Sequence, residues 1–291
     1  MKTAPTLDLI KTYYDERIEG KLRDFTNFNP RIEAAVQTMA EWAPSNPKRV
    51  LEIGCGIGAT AWRMARAWPE AEIIGADVSP LSIQVARACF RRSNLHFHEG
   101  LISEGTLTGK FDLLVLMDVY EHVALRDRPS IHSALKSLVA EEARIFLSFP
   151  TPALQLFARC SQPSGIQPVD EDVTLADAIT LAEETGTQIL YYREVGIWRY
   201  GDYAHLVLGR YKLLTDVALR AVKGGRLAEV KQRFKRLLKK YDTHSSGRLD
   251  YLGTDLLRDH PRITNNRFKV MAGQRRRLAS MWFPQGSKLT N

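Results

Sequence analysis

The chain has 291 residues, 44% hydrophobic and 25% charged, with 41 Lys and Arg against 33 Asp and Glu and a formal net charge of +8. That length buries one large core plus an appendage, and no apolar run approaches the ~20 residues of a membrane span. Met1-Lys2-Thr3-Ala4-Pro5 has no signal-peptide core, and the odd, scattered Cys55, Cys89 and Cys160 suggest neither a disulfide framework nor a zinc site, so a cytoplasmic chain with free thiols and no metal is expected.

Residues 6–43 read as helical, Leu7 to Tyr14 and then Pro30 to Trp42, separated by a polar loop around Asn27-Phe28-Asn29-Pro30. Ala34, Val36, Met39 and Ala40 give the second helix an apolar face. Pro44-Ser45-Asn46-Pro47 then punctuates the entry to a larger domain. Val50-Leu51-Glu52-Ile53-Gly54-Cys55-Gly56-Ile57-Gly58 follows, an apolar run with one acid that breaks into three alternate glycines. A helical pattern starts at Ala59. This is strand, tight turn and helix, with bare backbone where a ligand must come close.

Five strand–helix units continue from there. Strands are expected near 49–53, 72–76, 95–98, 112–117 and 143–149, and helices near 59–68, 81–91, 127–139 and 174–186. Most of the strands are near-continuous apolar runs, as a parallel sheet covered on both faces requires. Residues 151–173, rich in Pro, Gln, Ser and Asp, read as a long loop after the fifth strand. Loops at that end of parallel strands usually meet substrate, so this is the first choice for a substrate cover. Strands near 188–195 and 203–210 should form a terminal hairpin. Its connection, Gly196-Ile197-Trp198-Arg199-Tyr200-Gly201-Asp202, is the second choice. Its two aromatics and arginine suit a flat or sugar-like ligand, or simply pack as a hairpin tip.

Residues 211–291 hold 19 Lys and Arg against 6 Asp and Glu, a balance of +13, which leaves −5 for residues 1–210. The segment reads as helical in pieces. In Arg226–Tyr241, Leu227, Val230, Phe234, Leu237, Leu238 and Tyr241 form an apolar stripe flanked by basic residues. The stripe packs on the domain or a second copy, giving a homodimer, or the basic face meets a peripheral membrane surface or another polyanion. Packing is the expectation.

Gly54-x-Gly56-x-x-Ala59 also fits a dinucleotide fingerprint. The residues that follow separate the two. Glu72-Ile73-Ile74-Gly75-Ala76 ends in Asp77, about twenty residues past the glycines, and runs into Val78-Ser79-Pro80-Leu81-Ser82-Ile83. Phe111-Asp112-Leu113-Leu114-Val115-Leu116-Met117-Asp118-Val119-Tyr120-Glu121-His122-Val123 comes next. Together the three motifs resemble class I S-adenosylmethionine-dependent methyltransferases of the small-molecule, ubiquinone-methyltransferase-like type, over roughly residues 45–210. The resemblance implies a Rossmann-like α/β fold, with a seven-stranded, mostly parallel sheet whose last strand is antiparallel and helices on both faces. Residues 1–44 become an N-terminal helical lid, 45–210 the cofactor-binding domain, and 211–291 a basic helical extension.

The same resemblance implies roles. Gly54, Cys55, Gly56 and Gly58 form the turn under the methionine half of S-adenosyl-L-methionine. Glu52 helps fix its ammonium, and Asp118 and Val119 end the fourth strand beside the methionine carboxylate and ammonium. Asp77 accepts both ribose hydroxyls, Val78 and Ser79 lie by adenine, and Gly100 and Leu101 approach the adenine edge. The family pattern has an acid soon after that glycine, which this chain lacks. Tyr14 reaches the cofactor from the lid or merely packs, while packing is favoured for Tyr13.

The expected reaction moves a methyl group to a small-molecule or glycan acceptor, at a hydroxyl oxygen, with S-adenosyl-L-homocysteine as product. His122 is the candidate general base, since a near-neutral pKa suits proton removal. It is equally a structural cap with Glu121 as partner. Tyr200, Tyr203 and Arg199 are candidates for acceptor binding, and His205 reads as buried structure. The alternative is a methyltransferase for RNA, another polyanion or a membrane-associated substrate, recruited by the basic extension. Nucleic acid is not the expected partner.

Overall fold

The computed structural model describes residues 5–27 and 29–210. The basic extension at 211–291, and with it the question of packing against polyanion binding, lies outside the described residues. Seven strands form one sheet in the order β3-β2-β1-β4-β5-β7-β6. They are β1 (Arg49–Ile53), β2 (Glu72–Asp77), β3 (Leu95–Glu99), β4 (Phe111–Met117), β5 (Val139–Pro150), β6 (Gln188–Val195) and β7 (Tyr203–Gly209). The first five run parallel, and β7 is antiparallel to both β5 and β6. The expected mostly parallel seven-stranded sheet is therefore the observed one.

Burial explains which apolar runs became which strands. β4 is buried at every position but Asp112, and β7 at all seven. These central strands are covered on both faces. β3 and β6 lie at the sheet edges and alternate or half-expose their residues. The order moves one way from β1 through β2 to β3 and the other way from β4 to β5. Right-handed crossovers then put the intervening helices on opposite faces. These helices are α4 (Ala59–Ala67), α5 (Pro80–Cys89) and α6 (Arg128–Leu138), with α8 (Leu175–Thr185) preceding β6. Each lies within two residues of its expected bounds.

Two segments differ from expectation. The N-terminal part holds three helices, α1 (Leu7–Asp15), α2 (Ile18–Asn27) and α3 (Pro30–Trp42). The helix α2 was not expected because Gly20 and a run of charges interrupt its pattern. Ile18, Leu22 and Thr26, four residues apart, are nevertheless its buried face. Residues 151–173 are likewise not one long loop, since they contain α7 (Pro152–Ser161) and a short turn at Pro163–Gly165. The dipeptide Thr151-Pro152 looks like loop punctuation but is a helix start. Pro152 sits in the first turn, and the Thr151 hydroxyl accepts from the Leu154 N–H at 3.3 Å.

The register brings the strand ends to one edge. Ile53 pairs with Ala76 and Leu116, Met117 pairs with Ser148, and Pro150 pairs with Tyr203. α3 is fixed across this edge by three polar contacts. Glu33 and Arg63 pair through two hydrogen bonds, Thr38 bonds His205 Nδ1 at 2.8 Å, and Arg31 donates to the Tyr203 hydroxyl at 3.0 Å. His205 is thus the buried structural histidine expected, its pKa pushed down to about 4 by burial.

Candidate active site

The turn after β1 needs glycine for separate reasons at each position. Gly54, Gly56 and Gly58 all have positive φ, at 72°, 54° and 80°. A Cβ on Gly54 would stand 2.2 Å from Val119, and one on Gly58 would stand 2.6 Å from the Phe97 ring. Those two glycines let the β4 end and β3 close on the turn. At Gly56 the neighbour is instead the flexible Lys21 side chain, at 3.6 Å. Cys55 holds the turn from below. Its N–H donates to Ala76, its carbonyl accepts from Gly58, and its sulfur packs on Gly75.

Asp77 anchors the next part. Its carboxylate accepts from the Gly56 N–H at 2.7 Å and the Ser79 N–H at 2.9 Å, one on each oxygen. Each oxygen keeps lone-pair capacity for another donor. Ser79 is fully buried and its hydroxyl donates to Asp15 of α1, which also accepts from the Leu81 N–H. Ser79 therefore caps α5 and ties it to the N-terminal helices. Val78 is half-buried beside it. Gly100 donates to the Asp77 carbonyl at 2.9 Å, so the end of β3 lies against the same carboxylate strand, and Leu101 is exposed.

Buried carboxyls line the β1 and β4 ends. Glu52, Asp118 and Glu121 each have one oxygen that lacks a hydrogen-bond partner: Glu52 Oε2, Asp118 Oδ1 and Glu121 Oε2. Burial pushes Glu52 up to about 8 and Glu121 up to about 7. Burial also raises Asp118, against the Arg31 guanidinium 3.0 Å away. Asp118 adopts φ 55°, the one non-glycine residue with positive φ among the described residues. Tyr14 packs edge-on to His122, ring centres 6.4 Å apart, and feels both Glu121 and Asp77, which with burial raise its hydroxyl pKa.

His122 ends a short helical turn, Tyr120–His122, just past β4. Both ring nitrogens already have protein partners. Nδ1 donates to the Val169 carbonyl at 2.8 Å and lies 3.2 Å from Asp170, while Nε2 lies 2.9 Å from the Gln167 amide and 3.7 Å from Glu121. Burial alone would favour the neutral ring. Glu121, Asp170 and the Val169 carbonyl outweigh it and push the pKa up to about 9. As placed, Nδ1 donates to Val169 and Nε2 accepts from the Gln167 amide N–H, the neutral form, and charging the ring at Nε2 requires that amide to turn its oxygen inward. Burial opposes ionisation of Asp170, but His122 and the Gln167 N–H hold its carboxyl below the usual range.

The first-choice substrate segment thus reaches the site through Gln167, Val169 and Asp170. The second choice, 196–202, is a fixed turn, because Asp202 accepts the N–H groups of Ile197, Trp198 and Arg199. Arg199 stacks on Phe157 at 3.9 Å, Trp198 and Tyr200 are exposed, and Tyr203 joins Arg31 at the sheet edge. Asp15, Lys21, Arg31, Gln167 and Asp170 were not among the expected site residues. They lie on segments whose sequences carry no motif, and only the fold brings them here.

The fold, with its glycine turn and acid-ended second strand, is that of class I S-adenosylmethionine-dependent methyltransferases, and residues 50–142 match the family described as a methyltransferase domain. The similar proteins include a ubiquinone biosynthesis O-methyltransferase of Brucella anthropi, 32% identical over 145 residues, which are 45% of this chain and 56% of that protein. Another, from Chelativorans, is 34% identical over 120 residues, 36% of this chain and 46% of that protein. The chain spans about half the length of these curated relatives. Among solved structures, magnesium protoporphyrin IX methyltransferase of Synechocystis with bound S-adenosylhomocysteine superposes with a TM-score of 0.56 at 18% identity, over 71% of this chain and all of that one. Human N-acetylserotonin methyltransferase with S-adenosylmethionine gives 0.54 at 18%, over 72% of this chain and 60% of that one. No helix among the described residues is long and apolar enough to cross a membrane.

The residues present fit the cofactor of that fold. Glu52 and Asp118 have unpartnered buried oxygens, acceptors an ammonium would satisfy. Asp77 retains acceptor capacity for a pair of ribose hydroxyls. The positive-φ glycines leave the backbone bare beside them.

Proposed function

We propose that this chain is an S-adenosylmethionine-dependent methyltransferase acting on a hydroxyl oxygen of a small-molecule acceptor. The observation that carries the reading is the convergence at one sheet edge of the glycine turn, the Asp77 carboxylate and the unpartnered oxygens of Glu52 and Asp118. The names of the curated relatives support transfer to oxygen.

When bound, S-adenosylmethionine supplies a methyl group already electrophilic on its sulfonium. The chain's own work is then to position, exclude water and move a proton. Glu52 and Asp118 would hold the methionine ammonium and Asp77 the ribose. Arg31, Tyr203 and Tyr14 line the β4 side of the site with donors that can orient an oxygen acceptor. His122 can take the acceptor proton only as a neutral ring. Its raised pKa therefore makes it a clasp below pH 9 and a base above it.

The test is calorimetry with S-adenosylmethionine, its demethylated product and NAD. We expect the first two to bind and NAD to be silent. Asp77→Ala should weaken both by about 2–3 kcal/mol through the lost charge-assisted bonds. Micromolar NAD affinity with silence towards the sulfonium compound would sink the reading.

A further inference from the structure

His122 meets residues 167–171 through two kinds of contact. One kind is fixed. The Val169 carbonyl accepts from Nδ1 at 2.8 Å, the Asp170 carboxylate lies 3.2 Å from the same nitrogen, and the Glu171 N–H donates to the Glu121 carbonyl at 2.9 Å. Asp170 is itself held by the Gln167 backbone N–H at 2.9 Å and by the Gln155 amide at 3.4 Å. The main chain here is thus pinned to the turn Tyr120–His122 from several sides. The other kind is a single bond. The Gln167 side-chain amide reaches back to Nε2 at 2.9 Å, its one hydrogen bond among the described residues. A flexible side chain separates that amide from a main chain held without it, so the amide can swing away and leave the rest in place.

The chemistry at Nε2 gives this bond its meaning. Nδ1 is bound to a carbonyl, so in the neutral ring it carries the proton and Nε2 presents its lone pair. The nitrogen that a general base uses is therefore the one Gln167 covers. The amide meets it as an N–H donor. A hydroxyl acceptor meets a base in the same way, as an O–H donor at hydrogen-bond distance. A methyl ether, the product, has no proton to offer there. Glu121 stands 3.7 Å from Nε2 and the Tyr14 ring lies edge-on at 6.4 Å, with the His122 side chain only 12% exposed, so the place beside Nε2 is walled by protein.

We propose that Gln167 is a placeholder for the acceptor hydroxyl: its amide occupies Nε2 until an arriving O–H displaces it, and it returns once the product ether has formed. This rests on the reading of His122 as the base. In the transfer the acceptor O–H proton passes to Nε2, and the oxygen takes the methyl group as the methyl–sulfur bond breaks, its electron pair staying on sulfur. The ring then loses its proton to solvent, the ether offers Nε2 nothing, and the amide takes its place again. The exchange selects for acceptors that bring a proton donor and against their own methylated products.

The test reads His122 by NMR of the full chain, isotope-labelled at the histidine nitrogens and titrated until the ring is neutral. The chain has 7 histidines, and the His122 signals are those lost in His122→Gln. Benzyl alcohol serves as the probe donor and benzyl methyl ether as its methylated form. In Gln167→Ala the Nε2 signal should move to its unbonded position, while the Nδ1 proton bonded to Val169 stays. Benzyl alcohol should then return Nε2 towards its wild-type position, with an affinity about 3- to 10-fold above that for the unmodified chain, because no internal hydrogen bond competes. The ether should leave Nε2 unmoved. If Gln167→Ala does not fold, Gln167→Met, which keeps the bulk and loses the donor, carries the same comparison. Loss of the Nδ1 bond together with the Nε2 bond would make Gln167 a brace for the segment and overturn the proposal. So would an alcohol that binds both chains alike or leaves Nε2 unmoved, or an ether that copies the alcohol. The same samples are titrated with S-adenosylhomocysteine by calorimetry. Silence there ends the methyltransferase reading, whereas binding combined with any of the adverse outcomes ends only the placeholder.

Discussion

At the scale of single residues, His122 carries the sharpest expectation. Its folded-state pKa of about 9 lies above the unfolded value of about 6.5. A raised histidine contributes stability in full below the unfolded pKa and loses it as pH rises through the folded one. Denaturant unfolding should therefore show the protein losing roughly 3 kcal/mol between pH 6.5 and 9. His122→Gln should flatten that slope. Glu121, raised to about 7, and Glu52, raised to about 8, bend the curve the same way at lower pH, so only the part above pH 8 belongs to His122. A wild-type curve flat above pH 8 would remove the imidazolium clasp. The position of His122 just past β4 was legible in the motif Tyr120-Glu121-His122-Val123. Its surroundings were not, because Gln167, Val169 and Asp170 are more than forty residues away along the chain. Asp77 shows the opposite case. Its distance from the glycines fixes its place in such a fold, and its bonds to Gly56 and Ser79 are local.

Elements were legible where one physical signal dominated. Central strands announced themselves as apolar runs because burial on both faces leaves no room for alternation. α8 carries its own start and stop. Thr174 and Asp177 form a reciprocal capping box, and Gly186 ends the helix at φ 67°. Thr174→Ala should cost about 1 kcal/mol, or roughly 2–4 °C in melting temperature. A thermal scan with no shift would mean that Arg128, paired with Asp177 at 2.5 Å, already fixes this end. α2 and α7 were hidden by competing signals. Gly20 and clustered charges obscured α2, whose stability comes from the buried face of Ile18 and Leu22. Pro152 obscured α7, although proline costs nothing in a first turn, where its missing N–H has no partner to lose.

At the scale of the molecule, the chain divides by charge, −5 over residues 1–210 and +13 beyond. The acidic part contains the buried carboxyls Glu52, Asp118 and Glu121, and the proposed cofactor carries a net positive charge. The site as a whole is assembled from the N-terminal helices, the strand ends and the segment after α7, so its sequence motifs account for the floor and tertiary contact for the walls. One of those contacts would also set a clock. Asp15 grips Ser79 and Leu81, and Ser79 in turn touches Asp77, so the first helix is bolted to the strand end whose carboxylate would hold the ribose of the proposed cofactor. Traffic through such a door is governed by how often the bolt slips, not by how well the guest fits. Asp15→Ala should speed both arrival and departure of S-adenosylhomocysteine by about tenfold while the ratio of the two stays nearly constant. Stopped-flow traces that match the unmodified chain would show a door already open. If the bolt does slow departure, the spent cofactor is the last to leave, and each catalytic cycle lasts as long as that one helix stays down.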